Sequence, residues 1–186
     1  AHATGTIGNG HGTAAYYGLE KDVDIQLGTL SKSLGAVGGY VAANSTIIDY
    51  LVNMSRSFIF STALSPADIG AALAALQIIE SDSSVLRRLQ DNVNYMADCL
   101  NSMGIYATNE TPIFPILIGS NEDTLAVSNH LYNAGIIGTA IRPPTVPVGE
   151  SRIRLTVTAA HNREQIDYVC QTLSKAIKEL NCEGSI

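Results

Sequence analysis

Lys32 stands in the stretch Gly28 to Gly39, GTLSKSLGAVGG, with small and hydroxyl residues on both sides of it. An apolar run that contains Asp24, from Val23 to Leu27, comes just before. This order predicts a lysine emerging from the end of a buried strand into a tight loop, where glycines let backbone or a flat ligand approach closely. An ammonium group withdrawn from water gives up its proton more readily, and the free amine can form a Schiff base with a carbonyl. That is the chemistry of a lysine that carries pyridoxal phosphate. The simpler reading is a lysine that extends into water from a Gly/Ser loop, and this segment alone favours it.

Two other groups could act on anions. Arg152 to Thr158, RIRLTVT, alternates apolar and polar residues, so Arg152, Arg154, Thr156 and Thr158 share one face of a half-buried strand. A guanidinium there can hold a carboxylate through two parallel hydrogen bonds, or it can simply decorate a solvent face; the residues leave the two readings level. Arg142 is similar, with Pro143 and Pro144 fixing the chain direction after it. Ser61 and Thr62 lie beside a helix start, where hydroxyls bind phosphate or merely cap the element.

The elements that must position these groups follow from the pattern. Asp24 to Thr29 and Gly39 to Ala43 read as two short buried strands flanking the Lys32 loop, and Thr46 to Met54 reads as a helix. Ser57 to Thr62 is a further short apolar run. Ser65 caps a helix with Pro66 in its first turn, and the alanine-rich run Ala67 to Glu80 predicts a helix packed closely in a core. An amphipathic helix starts at Ser83 or Ser84 and stops near Gly104. Beyond it come an apolar run Ile113 to Ile118, a helix from about Asp123 to Asn133 ended by Gly135, and a run Ile136 to Ile141. The strand of Arg154 and a last helix, Arg163 to Leu180, complete the series. Strands alternating with helices predict an α/β unit, with a domain boundary between residues 80 and 90.

Composition narrows the function. Of the 186 residues, 46% are hydrophobic and 15% charged, an apolar-rich, charge-poor balance that predicts surface hidden in a partner subunit. A net charge of -6 argues against nucleic acid or an anionic membrane as the main partner. Gly8-x-Gly10 lacks the strand before and helix after that a dinucleotide site needs, and Ser31 stands where a P-loop needs glycine before its lysine. The histidines and the cysteines Cys99, Cys170 and Cys182 lack metal-site spacing and read as reduced thiols of a cytosolic protein. The abrupt opening at Ala1-His2 predicts the C-terminal portion of a longer chain.

The stretches AHATGTIGNGHG, GTLSKSLGAVGG, FIFSTALSP and AIRPPTVPVGESRIRLTVTAAH, taken together and in this order, resemble the alpha-oxoamine synthases, pyridoxal phosphate enzymes of fold type I. The resemblance spans nearly the whole chain. It implies an α/β fold in which residues 1–85 are the C-terminal part of the cofactor-binding large domain and residues 86–186 are a small C-terminal domain. It also implies pyridoxal 5'-phosphate as cofactor. Lys32 matches the Schiff-base lysine, Thr29 the hydroxyl at the cofactor phosphate, and His2 the histidine at the cofactor's phenolic oxygen. Thr62 matches a hydroxyl reaching the neighbouring subunit's phosphate, Arg154 the arginine holding the substrate carboxylate, and Thr145 a residue of the substrate loop. The family condenses an amino acid with an acyl thioester and releases carbon dioxide, as a cytoplasmic homodimer with shared active sites. Its aspartate at the pyridinium nitrogen belongs just before Ala1, and His11 stands where an arginine is common. A family member using a different amino acid, and a non-catalytic fragment, are the alternative readings.

Overall fold

The computed structural model describes residues 1–183, with side chains described through Leu180; the cysteine reading at Cys182 lies outside the described side chains. The chain divides into two compact units, Ala1–Leu86 and Arg87 onward.

In the first unit, strands β1 (Ile25–Thr29) and β2 (Gly39–Ala43) form an antiparallel hairpin in which Thr29 faces Gly39 and Gly28 faces Tyr40. A short helix, α1 (Thr13–Tyr16), precedes it, and α2 (Ser45–Met54), α3 (Arg56–Ile59) and α4 (Pro66–Ser81) follow. Asn44 caps α2 by accepting from the Ile47 amide at 3.0 Å. Ser65 caps α4 by accepting from the Asp68 amide at 3.1 Å, with Pro66 in the first turn as the sequence predicts.

Two expectations for this unit fail. The strands are exposed rather than buried: Leu27 on β1 is 78% accessible. A hairpin pairs only with itself, and the residues of this unit supply no layer for its apolar faces. The run Ser57 to Thr62 begins as the helical turn α3, because an apolar run this short does not distinguish strand from helix. The helix α4 is not enclosed in a core either. Ala72 is its one buried residue, while Ile69, Leu73, Leu76 and Ile78 are all exposed. Apolar residues all round a helix need cover on every side, and the unit offers it on one.

The second unit has a well-formed interior. Helix α5 (Ser83–Ser102) leads to strand β3 (Ile113–Gly119), helix α6 (Asn121–Asn133), strands β4 (Thr139–Ile141) and β5 (Ser151–Thr156), and helix α7 (Arg163–Glu183). The strands form an antiparallel sheet in the order β3-β5-β4. Pro115 is tolerated inside β3 because that strand is at the edge. Phe114, Ile116, Ile153 and Leu155 leave the sheet on one side and meet Val93, Met96 and Leu100 of α5, Val127 and Leu131 of α6, and Ile166, Cys170 and Leu173 of α7 in the core. Gly138 lets α6 close on this sheet: a Cβ there would lie 2.6 Å from Leu131 and 3.1 Å from Ile153.

Gly104, at φ +76°, ends α5, and Ile105 donates back to the Leu100 carbonyl at 3.0 Å. Cys99 and Cys170 are free thiols. Burial first, and then the neighbouring Cys99 and Asp167, push the Cys170 thiol up to about 12, so it is an inert packing group. Among the described residues no single helix is long and apolar enough to cross a membrane.

Phe114 is 1% accessible and at the centre of the second unit's core. Phe114→Ala is expected to destabilise that unit by about 3–5 kcal/mol, read as a lowered urea midpoint with retained slope.

Candidate active site

The Lys32 loop is a turn bound at several points. At its base the Leu30 amide donates to the Gly38 carbonyl at 2.9 Å, and the Ala36 amide donates to the Leu30 carbonyl at 2.8 Å. Leu34 and Ala36 are buried and anchor the loop, which leaves Ser31, Lys32 and Ser33 on the outside. Gly38 has φ +128°, and a Cβ there would lie 2.7 Å from Leu64, so the loop closes only with glycine at that place. Gly28 is covered by the ring of Tyr40, whose Cζ would be 2.3 Å from an added Cβ.

Two outside segments clamp the loop. Ser33 Oγ donates to the Thr4 carbonyl at 2.6 Å, and the Val37 amide donates to Asp68 Oδ1 at 3.2 Å. Tyr40 Oη lies 3.4 Å from Thr4 Oγ1. These contacts join the N-terminal glycine-rich loop, the Lys32 loop and the first turn of α4.

Each residue singled out from the sequence has a definite place. Thr29 ends β1, with its Oγ1 2.8 Å from Ser31 Oγ and accepting from the Ser31 amide at 3.2 Å. This hydroxyl pair and the Lys32 amine lie on one short loop. Lys32 is exposed, so the desolvation expected from the sequence is not supplied by the residues around it. His2 is exposed, and its carbonyl accepts from Thr6 Oγ1 at 2.7 Å. Thr62 is exposed in the irregular stretch between α3 and α4.

Arg154 and Thr145 belong to the second unit. Arg154 stands on the face of β5 opposite the core, in register with Pro115 of β3 and Thr139 of β4. Thr145 follows the cis Pro143-Pro144 peptide, and its amide donates to the Arg142 carbonyl at 3.0 Å.

The structure separates the two strand arginines. Arg152 bonds to the Glu150 carboxylate and carbonyl, each at 2.8 Å, so its charge is already matched. Arg154 has no ion pair or hydrogen bond among the described residues and presents an unspent guanidinium. Sequence alternation puts both on one face; the local partner of Arg152 is what distinguishes them. Sequence reasoning also misses Asp68. Ser65-x-x-Asp68 announces a capping pair, but the bond to Val37, 31 positions away, is a tertiary contact. Among the described residues no three His, Cys, Asp or Glu side chains cluster as metal ligands.

This chain belongs to the aminotransferase class I and II family, whose sequence model matches residues 1–173. Its fold is that of the fold type I, aminotransferase-like enzymes. Among the curated relatives, the 8-amino-7-oxononanoate synthase of Lysinibacillus sphaericus is 44% identical over 182 residues, covering 97% of this chain and 47% of the relative. The 8-amino-7-oxononanoate synthase 2 of Bacillus subtilis is 43% identical over 183 residues, with 97% and 46% covered. Of the solved structures, serine palmitoyltransferase from S. paucimobilis, with bound PLP–myriocin aldimine, superposes with a TM-score of 0.91 at 27% identity over 98% of this chain and 47% of that one. The 8-amino-7-oxononanoate synthase of Francisella tularensis gives 0.85 at 25% identity, over 97% and 54%. The chain therefore spans about half the length of the relatives it matches.

The hydrogen bond from Ser65 first, and that from the Val37 amide second, hold the Asp68 carboxyl below the ordinary aspartate value of 3.8. A depressed folded-state pKa contributes stability that is present above 3.8 and is lost as pH falls through the depressed value. In an NMR acid titration the Val37 amide is expected to shift with a midpoint below 3.8. Asp68→Ala is expected to abolish that titration and speed hydrogen exchange at Val37.

Proposed function

We propose that the protein containing this chain is a pyridoxal phosphate-dependent C-acyltransferase that joins L-alanine to a pimeloyl thioester, with loss of carbon dioxide, to give 8-amino-7-oxononanoate in biotin biosynthesis. The observation that carries this reading is that Lys32 shares a short loop with the Thr29–Ser31 hydroxyl pair, and that this loop is tied down through Ser33 and Val37. The names of the relatives support the particular product. In this reading residues 1–85 form part of the cofactor-binding large domain and residues 86–186 the small domain of a cytoplasmic homodimer.

The residues fit the cofactor. A primary amine suits its aldehyde, and the Thr29 and Ser31 hydroxyls suit its phosphate: Thr29 Oγ1 donates to the Gly38 carbonyl at 3.2 Å and lies 2.8 Å from Ser31 Oγ, and either hydroxyl can rotate its hydrogen to a phosphate oxygen instead. When bound, pyridoxal phosphate supplies an electron sink for charge left on the amino-acid Cα. Lys32 would hold it covalently, Thr29 would bind its phosphate, His2 would donate to its ring oxygen, and Thr62 would reach the phosphate held by the partner subunit.

The remaining work falls to protein side chains. With the cofactor bound, the Lys32 amine would serve as general base for the Cα proton. Arg154 holds the substrate carboxylate by two hydrogen bonds and so fixes the orientation of the bond that is lost. Its freedom from intramolecular partners suits it to this role; the ion pair of Arg152 does not. Thr145, on the Pro-stiffened turn, lies beside the substrate.

In the enzyme that carries this chain, Lys32→Ala is expected to abolish the visible absorbance of bound cofactor and the release of thiol from pimeloyl thioester together. Turnover at the wild-type rate would overturn the assignment. Arg154→Ala is expected to raise the KM for alanine roughly 10- to 100-fold, the cost of a charge-assisted hydrogen bond pair, with a much smaller effect for Arg152→Ala. Replacing alanine by glycine or serine in the same assay tests the amino-acid specificity.

A further inference from the structure

The second unit contains a cavity of about 470 Å³ that the proposed reaction does not use. Its floor is aliphatic and reaches the core: Met96, Ile136, Leu155, Val157 and Ile166 line it, and all are between 1% and 8% accessible. Leu155 and Val157 are on the core side of the β5 chain, opposite Arg154, so the cavity and the Arg154 face are on different sides of the sheet.

The mouth is polar, with two side-chain donors in its lining. His161 Nδ1 accepts from the Thr158 amide at 3.1 Å, which leaves Nε2 to carry the ring proton. Asn92 holds the same turn by donating to the carbonyls of Thr158 and His161, at 3.0 and 2.8 Å. Gln165 Oε1 is occupied as well, accepting from the Asn162 amide at 3.0 Å in a reciprocal cap at the start of α7, so its Nε2 hydrogens are the ones left over. Tyr168 closes one side, with its hydroxyl proton given to the Ala134 carbonyl at 3.1 Å. The Thr156 side chain alternates to the other face of β5. His161 and Gln165 thus offer two uncommitted donors in the lining of an apolar well, while His161 Nδ1 and Gln165 Oε1 each already accept from a backbone amide.

We infer that this cavity is a binding site for a medium-chain carboxylic acid of about six to ten carbons, whose chain enters the well and whose carboxylate accepts from His161 Nε2 and Gln165 Nε2. The positive end of the 21-residue helix α7 adds to the preference for an anion at the mouth. Binding there does not depend on the proposed reaction.

Sodium octanoate titrated into the full chain, followed through isoleucine, leucine and valine methyl NMR signals, tests this. Saturable shifts at Ile136, Leu155, Ile166 and Val169 are expected. Gln165→Glu keeps the oxygen that caps α7 but replaces the donor with a like charge, and is expected to weaken octanoate at least about tenfold. Octanol, which has the chain without the carboxylate, should bind weakly and equally to both proteins. Val169→Phe, which fills the well, gives a second and independent loss of the shifts. Absence of saturation, shifts confined to residues before Arg87, or equal octanoate affinity in Gln165→Glu would each overturn the inference.

Discussion

The bond between the Val37 amide and Asp68 is the constraint on which the shape of the Lys32 loop depends. From Leu30 to Gly38 the chain has no strand or helix ladder to fix it, so its conformation has to be set by groups outside it. The α4 cap supplies one of these, because Ser65 turns Asp68 toward the loop as well as toward its own helix. Thr4 supplies another, through Ser33. Burial of Leu34 and Ala36 then decides which side chains face outward, and Lys32 is one of them. A loop bound at both ends fixes the backbone from which the Lys32 side chain extends, which lowers the ordering cost of any covalent chemistry there.

In the second unit the controlling feature is the two-residue repeat of β5. Ile153 and Leu155 face the helices, which commits Arg152 and Arg154 to the open side. Their charges then have different fates. Arg152 is two residues from Glu150 and closes on it, an exchange of one local partner for water. Arg154 is flanked across the sheet by Pro115 and Thr139, neither of which can neutralise it. The same alternation sends Leu155 toward the aliphatic cavity, so one strand serves two chemically distinct surfaces.

The two units bury their residues to different degrees. The second has a continuous core between one sheet face and three helices, with Phe114, Leu100, Leu131, Ile153 and Leu173 all at or below 1% exposure. The first exposes apolar groups on β1, α2 and α4, and Phe60 beyond α3 is 75% accessible. The low charge content and high apolar content of the sequence have their physical counterpart here: the surplus apolar surface is on the first unit. This is the unit that carries the Lys32 loop, and the chain as a whole corresponds to about half the length of its relatives.

Local chemistry made much of this legible in the sequence. The Ser65–Pro66 start of α4, the Gly104 and Gly135 stops, the alternation of β5 and the apolar stripe of α7 are decided within one or two turns of chain, and each is where the pattern puts it. The hairpin around Lys32 follows from two apolar runs and the glycines between them. What depends on distant residues could not be read this way. Burial is a property of what packs against an element, so of two apolar runs β3 has one face buried and β1 has none. The contact between Val37 and Asp68, the pairing that spends Arg152 and spares Arg154, and the backbone amides that occupy His161 Nδ1 and Gln165 Oε1 all require coordinates. Residue types along the chain determined which groups were available for chemistry; the tertiary structure decided which of them still had a hydrogen, a lone pair or a charge left to use.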